Sequence, residues 1–316
     1  MDVSQLTARL KSLAGIPRRT AHIREQVARL VRAIETNNLL SAQMLIERVH
    51  GLGPRRRLRE TEFKVFSQWG DDGIIQYLIH QVPLPNDTFI EFGVESYEES
   101  NTRFLLMNNN WRGLVMDGNP ANIDHIRQGE ISWRHDLTAK AAFITRENIN
   151  DLIVEAGFRG PVGILSIDID GNDYWVWEAI AVVNPAIVIV EYNAVFGPDR
   201  AACVPYDPHF VRSRAHWSNL FWGCSLAALC ALAERKGFAF VGCNSNGNNA
   251  YFVQRGLASN LRELRPREGF VASRFRDSRD PEGRLTFVSG DARFALISDL
   301  MVTNITTGRL VRLQDA

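Results

Sequence analysis

The sequence predicts an α/β protein: a doubly wound, mostly parallel sheet with helices on both faces and an N-terminal helical extension. Three observations predict it. Apolar, β-branched runs alternate with segments of helical period from about residue 87 to 191. The run Ala186-Ile187-Val188-Ile189-Val190 is continuously apolar, as a strand buried on both faces must be. Acids stand where successive runs stop, at Glu91, Asp117 and Asp168. In an open sheet of this kind, ligands sit at the carboxyl ends of the strands, where the strand order reverses.

The chain has 316 residues, 45% of them hydrophobic, enough for one large domain with additions. Lys+Arg 36 balance Asp+Glu 36, so no global field favours nucleic acid or an anionic membrane, and neither is expected as a partner. Cys203, Cys224, Cys230 and Cys243 show no C-x-x-C pairing and read as free thiols in a reducing compartment. Residues 1–17 hold no continuous apolar core, which predicts a cytoplasmic chain without leader or membrane span.

Residues 20–50 read as helices, with Ile23, Val27, Leu30, Val31 and Ile34 at helical spacing and a second short helix from Ser41 to His50. They are either a helical pair packed on the main domain or an oligomerisation or lid element. The extension is taken as 1–60, the core as 61–256 and a C-terminal extension as 257–316. Gly51 to Pro54 break the helix, and Arg55-Arg56-Arg57-Leu58-Arg59 read as a solvated linker or as a contact for a phosphate-bearing substrate. Ser67-Gln68-Trp69-Gly70 precede a helix that Asp71 or Asp72 can cap. Gln68 and Asp72 are candidate site residues, since this polar stretch is richer than a cap requires.

The alternation then begins. Strands are expected at 87–92, 113–117, 131–135, 162–168 and 186–191. Helices are expected from Ser100 to Asn109, after Asn119-Pro120, at Thr145 to Ile153, and around Trp175, Val176 and Ile180. Residues 194–222 are an aromatic-rich loop expected to hang over the site. A helix from Ser225 to Lys236 leads to a hairpin of Phe238–Cys243 and Asn249–Gln254. The stretch 257–285 is charged and irregular, and 286–316 can add a strand or two.

Carboxylates at strand ends can accept hydrogen bonds from ribose hydroxyls or amino groups. Glu91-Phe92-Gly93 lacks the glycines that bring backbone close to a pyrophosphate, and no Walker lysine is present. The expected cofactor is therefore a nucleoside without phosphates, which disfavours a nicotinamide oxidoreductase.

The order strand, Glu-x-Gly, helix, strand ending in Asp, five parallel strands and a hairpin resembles class I S-adenosylmethionine-dependent methyltransferases. Leu165-Ser166-Ile167-Asp168-Ile169-Asp170-Gly171-Asn172-Asp173, with Ile189-Val190-Glu191-Tyr192 about twenty residues on, looks most like the FkbM-type group. The resemblance covers roughly 62–255. It implies a seven-stranded Rossmann-like sheet whose last strand is antiparallel. It places Glu91, Phe92 and Gly93 at the methionine end of S-adenosylmethionine, and Ser100 and Asn101 on its carboxylate. It also places Asp117 and Gly118 at the ribose, Asp136 near the adenine amine, and Asp168 near the sulfonium and the acceptor. The family's second and third glycines are absent, and Val94 to Tyr97 stand there instead.

Two catalytic schemes follow. Asp168, Asp170, Glu191 and Asn193 offer hard oxygen donors suited to Mg2+, which would bind and acidify an acceptor hydroxyl. Without a metal, the four form a polar floor and His209 or His216 is the general base. An Asn/Asp-Pro-Pro-Tyr motif of the DNA amine methyltransferases is missing after the fourth strand. The expected activity is O-methylation of a hydroxyl on a glycan or other small molecule. The alternative is a non-catalytic assembly or binding module on the same fold, with the N-terminal helices forming a homo-oligomer.

Overall fold

The computed structural model describes the backbone of residues 3–316 and the side chains from residue 21 on, apart from those of residues 24 and 28. The absence of a leader expected for residues 1–17 lies largely outside the described side chains. The chain divides between Glu47 and Arg48. Before the division lies most of one α-helix, α1 (Val3–His50). The sequence reading split this stretch into two helices, but no residue between Asn37 and Ser41 breaks the backbone. Ile23, Val27, Leu30 and Ile34 lie along the helix with their side chains exposed.

The second unit holds the sheet. Its elements run α2 (Asp71–Gln81), β1 (Thr88–Phe92), α3 (Arg103–Asn109), β2 (Arg112–Asp117), α4 (Pro120–Gln128), α5 (Ile131–Arg134), β3 (Leu137–Ala141) and α6 (Ile149–Glu155). Then come β4 (Gly160–Ile167), α7 (Asp173–Ala179), β5 (Val183–Glu191), β6 (Ala202–Cys203), α8 (Arg212–Ala215), α9 (Leu226–Arg235), β7 (Phe238–Cys243) and β8 (Asn249–Gln254). The chain closes with α10 (Pro266–Gly269), α11 (Asp291–Ala295), β9 (Met301–Asn304) and β10 (Arg309–Arg312). The seven-stranded sheet has the order β3-β2-β1-β4-β5-β8-β7. β1 to β5 pair in parallel, whereas β8 runs antiparallel to both β5 and β7. This is the doubly wound sheet expected, with the hairpin as its last two strands.

One strand moves. Ile131 to Arg134 is a helical turn, and the third strand begins only at Leu137. The apolar Ile131 and Trp133 mimic a strand's alternation, but Arg134 and His135 amides bond back to Glu130 and Ile131 carbonyls. The C-terminal segment adds β9 and β10, which join β6 in a separate three-stranded sheet. Phe196, Val204, Leu220, Val302 and Leu313 form the core beneath it.

The main core needs its aromatics. Trp177 of α7 packs against Phe238 and Phe252 of the hairpin, with ring centroids 5.9 and 5.1 Å away. Burying a large side chain of this kind contributes about 1.5–3 kcal/mol. The hairpin is also tied to α2 through polar contacts. Buried Asp71 accepts from Asn244 Nδ2 at 2.9 Å, Asn249 Nδ2 at 3.1 Å and the Tyr251 hydroxyl. Neither Asp71 nor Asp72 caps α2, whose N-cap is Gly70. Cys203, Cys224 and Cys243 are buried free thiols, and Cys230 is half-buried.

Candidate active site

β1 and β4 are neighbours at the point where the strand order reverses, and a cavity of about 530 Å³ opens at their carboxyl ends. Gly93 fixes how closely the two strand ends meet. Its φ is +74°, and a Cβ there would lie 1.5 Å from the Asp168 carbonyl oxygen, so no side chain fits.

The loop after Gly93 turns without a further glycine. Glu95 and Tyr97 take left-handed backbone, at φ +46° and +61°, which costs an L-residue roughly 1–2 kcal/mol. Two anchors hold it. The Glu95 amide donates to Asp117 Oδ2 at 2.8 Å. The Tyr97 ring is buried, with its hydroxyl 3.0 Å from Thr102 Oγ1.

Glu91 is the hub of this loop. Its Oε1 accepts from the Asn101 amide at 2.9 Å, and its Oε2 accepts from the Thr102 amide and the hydroxyls of Ser100 and Thr102. Burial pushes its carboxyl up, and these donors oppose the shift. The sequence reading gave these donors to a ligand carboxylate at a helix opening with Ser100. The helix in fact starts at Arg103, and the protein's own Glu91 occupies the anion slot. Glu91, Ser100 and Asn101 still line the cavity.

Asp117 ends β2 beside them. Oδ1 accepts from the Asn119 amide at 2.8 Å and Asn122 Nδ2 at 3.0 Å, and Oδ2 accepts from Glu95 alone. At two acceptor positions per oxygen, Oδ2 keeps one for a ligand. Gly118, Asn122, Phe143 and Ile144 also line the cavity, as do Gln68 and Trp69.

Three expected cofactor contacts are not in the cavity wall. Asp72 points inward and clamps the 65–67 loop: its Oδ2 accepts from the amides of Val65, Phe66 and Ser67 and from the Ser67 hydroxyl. Phe92 points into the core between sheet and helices. Asp136 stands at the start of β3, the opposite edge from the site, where its exposed carboxylate lies 3.7 Å from Arg112. The displaced strand causes that error, and Ala142 and Phe143 take the position instead.

On the other side of the switch point, β4 and β5 run in register with Ile167 beside Val190. The next residues, Asp168 and Glu191, therefore face each other at the cavity floor. Burial pushes both carboxyls well above their usual range, and the Asp170 charge nearby adds to the shift in each. Glu191 Oε2 is buried with no hydrogen-bond partner among the described residues. Both carboxyls therefore take up a proton more readily than an ordinary carboxylate.

The proposed metal set is not assembled. Asn193 donates to the carbonyls of Leu220 and Trp222, both at 2.9 Å, and its Oδ1 accepts from the Val195 amide, so its side chain is held by the 194–222 loop. Asp170 pairs with Arg212 at 2.7 Å. Among the described residues, no group of three or more His, Cys, Asp or Glu is arranged to hold a metal ion. Neither histidine lines the cavity. His209 is exposed on the 194–222 loop, and His216 is turned to Ser218, 2.7 Å away.

Sequence reasoning missed Arg212 as a wall residue, although it expected the aromatic loop that carries Phe210 and Trp222 to overhang the site. It also missed Asn249, whose buried Oδ1 has no partner among the described residues, and Ser273, Phe275 and Arg293 of the C-terminal segment. No periodic signal marks those last three, because they reach the site through tertiary folding of an irregular chain.

No family model matches the sequence, and no curated protein matches it. Among solved structures, the chain is similar to the N-terminal domain of EvdMO1 with SAH bound, at 11% identity and a TM-score of 0.40, covering 67% of this chain and 94% of that one. It is also similar to an O-methyltransferase from Bacillus cereus in complex with SAH, at 10% identity and a TM-score of 0.36, covering 68% and 89%. The DszA carbon methyltransferase gives 13% identity and a TM-score of 0.38 over 59% and 54%. These are likenesses of fold at low identity. The strand order rests on the hydrogen-bonded ladders described above.

Proposed function

We propose that the protein is an S-adenosylmethionine-dependent O-methyltransferase of the FkbM-like type, acting in the cytoplasm on a hydroxyl of a glycan or other small molecule. The observation that carries this reading is the two-sided cavity. Asp117 offers an acceptor position on one side of the switch point, and a buried Asp168–Glu191 carboxyl pair forms the floor on the other.

The donor set suits that cofactor. Glu91, Glu95, Glu99 and Asp117 line the β1–β2 side with no lysine or arginine among its wall residues, an environment that favours a cationic sulfonium and repels a diphosphate. Asp117 would hold the ribose, Phe143 and Ile144 would face the adenine, and Gln68, Ser100 and Asn101 would flank the methionine end. When bound, the cofactor supplies an electrophilic methyl group.

The chain's own part is to place and deprotonate the acceptor. A buried carboxylate beside a second carboxyl is a general base of raised pKa, and such a base is matched to a hydroxyl near neutral pH better than an ordinary carboxylate. Asp168 takes the acceptor proton as the oxygen attacks, and Glu191 holds Asp168 in place. Phe210, Trp222 and Phe275 line the same cavity and would help to exclude water from the reacting atoms. Mg2+ is not needed in this scheme, because the oxygen donors assigned to it serve the base and its neighbours. Methyl transfer from labelled S-adenosylmethionine to a panel of glycans and hydroxylated small molecules tests the activity. Label transfer that requires Asp168 and survives EDTA is expected.

The exposed stripe of Ile23, Val27, Leu30 and Ile34 supports a homo-oligomer formed through α1.

A further inference from the structure

The cavity has a second electrostatic character. Beyond the Asp168–Glu191 floor stand two guanidinium groups, from segments far apart in the chain. Arg212 opens α8 and Arg293 lies on α11, in the C-terminal stretch that the sequence left without a role.

Arg212 is held rigidly. Its Nη1 donates to Asp170 Oδ1 at 2.7 Å, its Nε donates to the Asn219 carbonyl at 3.3 Å, and its guanidinium lies 4.5 Å from the centre of the Trp222 ring. Arg293 is different. It makes one long hydrogen bond, Nη1 to the Ser273 carbonyl at 3.5 Å, and its Nε is buried with no partner among the described residues. No carboxylate among the described residues lies within ion-pair distance of it. Burial, and then the charge of Arg212, both work against its protonation. Two like charges thus face one cavity, one of them half-desolvated and unpaired. An arrangement of this kind costs free energy unless an anion completes it.

We propose that the acceptor carries an anionic group, a carboxylate or a phosphate, that is seated between Arg212 and Arg293. This rests on the methyl-transfer reading and narrows its substrate class to acidic acceptors, uronic acids or phosphorylated sugars among them. The guanidinium fork matches either oxyanion in two-point geometry, which a neutral sugar does not offer. The acid-rich β1–β2 side takes the cationic cofactor, and the arginine side takes the anionic acceptor. The two ligands are sorted by charge to opposite ends of one cavity. The C-terminal segment then has a function: it delivers Arg293, with Ser273 and Phe275, to complete the acceptor site.

Isothermal titration calorimetry on the full chain, with adenosylhomocysteine present, tests this with three probes: D-glucuronate, D-glucose 6-phosphate and D-glucose. At least one anionic probe is expected to bind tenfold or more tightly than glucose, and the better of the two identifies the anion. Arg293→Met is expected to remove that preference tenfold or more. Arg293→Lys is expected to restore part of it, and both variants should bind adenosylhomocysteine as the unsubstituted protein does. Equal binding of all three probes, no binding by any, or an anionic preference that survives Arg293→Met would overturn the proposal. Failure of adenosylhomocysteine to bind the unsubstituted protein is a separate result and counts against the methyl-transfer reading. The probe titrations repeated without it would still report on the arginines.

Discussion

Asp168 and Glu191 sit side by side at the ends of β4 and β5, one residue beyond the Ile167–Val190 pair of the parallel ladder. Burial raises the proton affinity of both and the Asp170 charge adds to it in each; the Asp168 charge raises Glu191 further, whereas the hydrogen bond from Glu191 opposes the shift at Asp168. Register alone brings the pair together, so its geometry is as rigid as the sheet.

The pH dependence of methyl transfer follows from that charge. The base must be ionised, so activity falls as pH drops through its pKa, and that limb should lie above the ordinary carboxylate range. Asp170→Asn removes a negative neighbour, which lowers the pKa of both partners and moves the acid limb to lower pH. A pH–rate profile of kcat/KM for the two proteins reads this directly. An unmoved limb would exclude the pair as the titrating group.

Gly93→Ala should destabilise severely. The new Cβ collides with the Asp168 carbonyl, and the left-handed backbone disfavours any side chain. Overpacking and backbone strain together predict a loss of about 3 kcal/mol or more. Urea denaturation measures it, and a loss under about 1 kcal/mol would mean the β1–β4 junction is looser than described.

Glu95→Gly should do the opposite. Glycine relieves the left-handed strain at φ +46° but adds unfolded-state entropy, and the amide bond to Asp117 is kept. The net expectation is unchanged stability or a gain of up to ~1 kcal/mol. A clear drop in the denaturation midpoint would show that the Glu95 side chain itself is needed.

The α1 stripe is tested by Leu30→Glu together with Ile34→Glu. Sedimentation velocity should show a homo-oligomer for the unsubstituted chain and a monomer for the double variant. A monomer in both would leave α1 without a role in self-association.

Much of the fold was legible in residue pattern because strands buried on both faces leave a long apolar signature. Ala186 to Val190 and the Phe238–Gln254 hairpin are the clearest cases. Ile131 to Arg134 misled because four residues cannot separate a helical turn from a short strand, and Asp136 was misplaced with it. At the site, acids at strand ends were readable as positions but not as roles. Asp117 faces the cavity and Asp72 the loop behind it, and only the fold distinguishes them. Glu91 was readable as an acid ending the first strand at the cavity, but that its carboxylate is held by Ser100 to Thr102 was not. Arg293 could not be read at all, since it lies in irregular chain far from the motif residues.

The central claim is a cofactor site built on Asp117, and calorimetric titration with adenosylhomocysteine tests it most directly. The unsubstituted protein should bind, and Asp117→Ala should weaken binding at least tenfold while the fold is retained by circular dichroism. No heat of binding at millimolar adenosylhomocysteine, or equal affinity in the Asp117→Ala protein, would contradict the claim and favour a non-catalytic assembly module on this sheet.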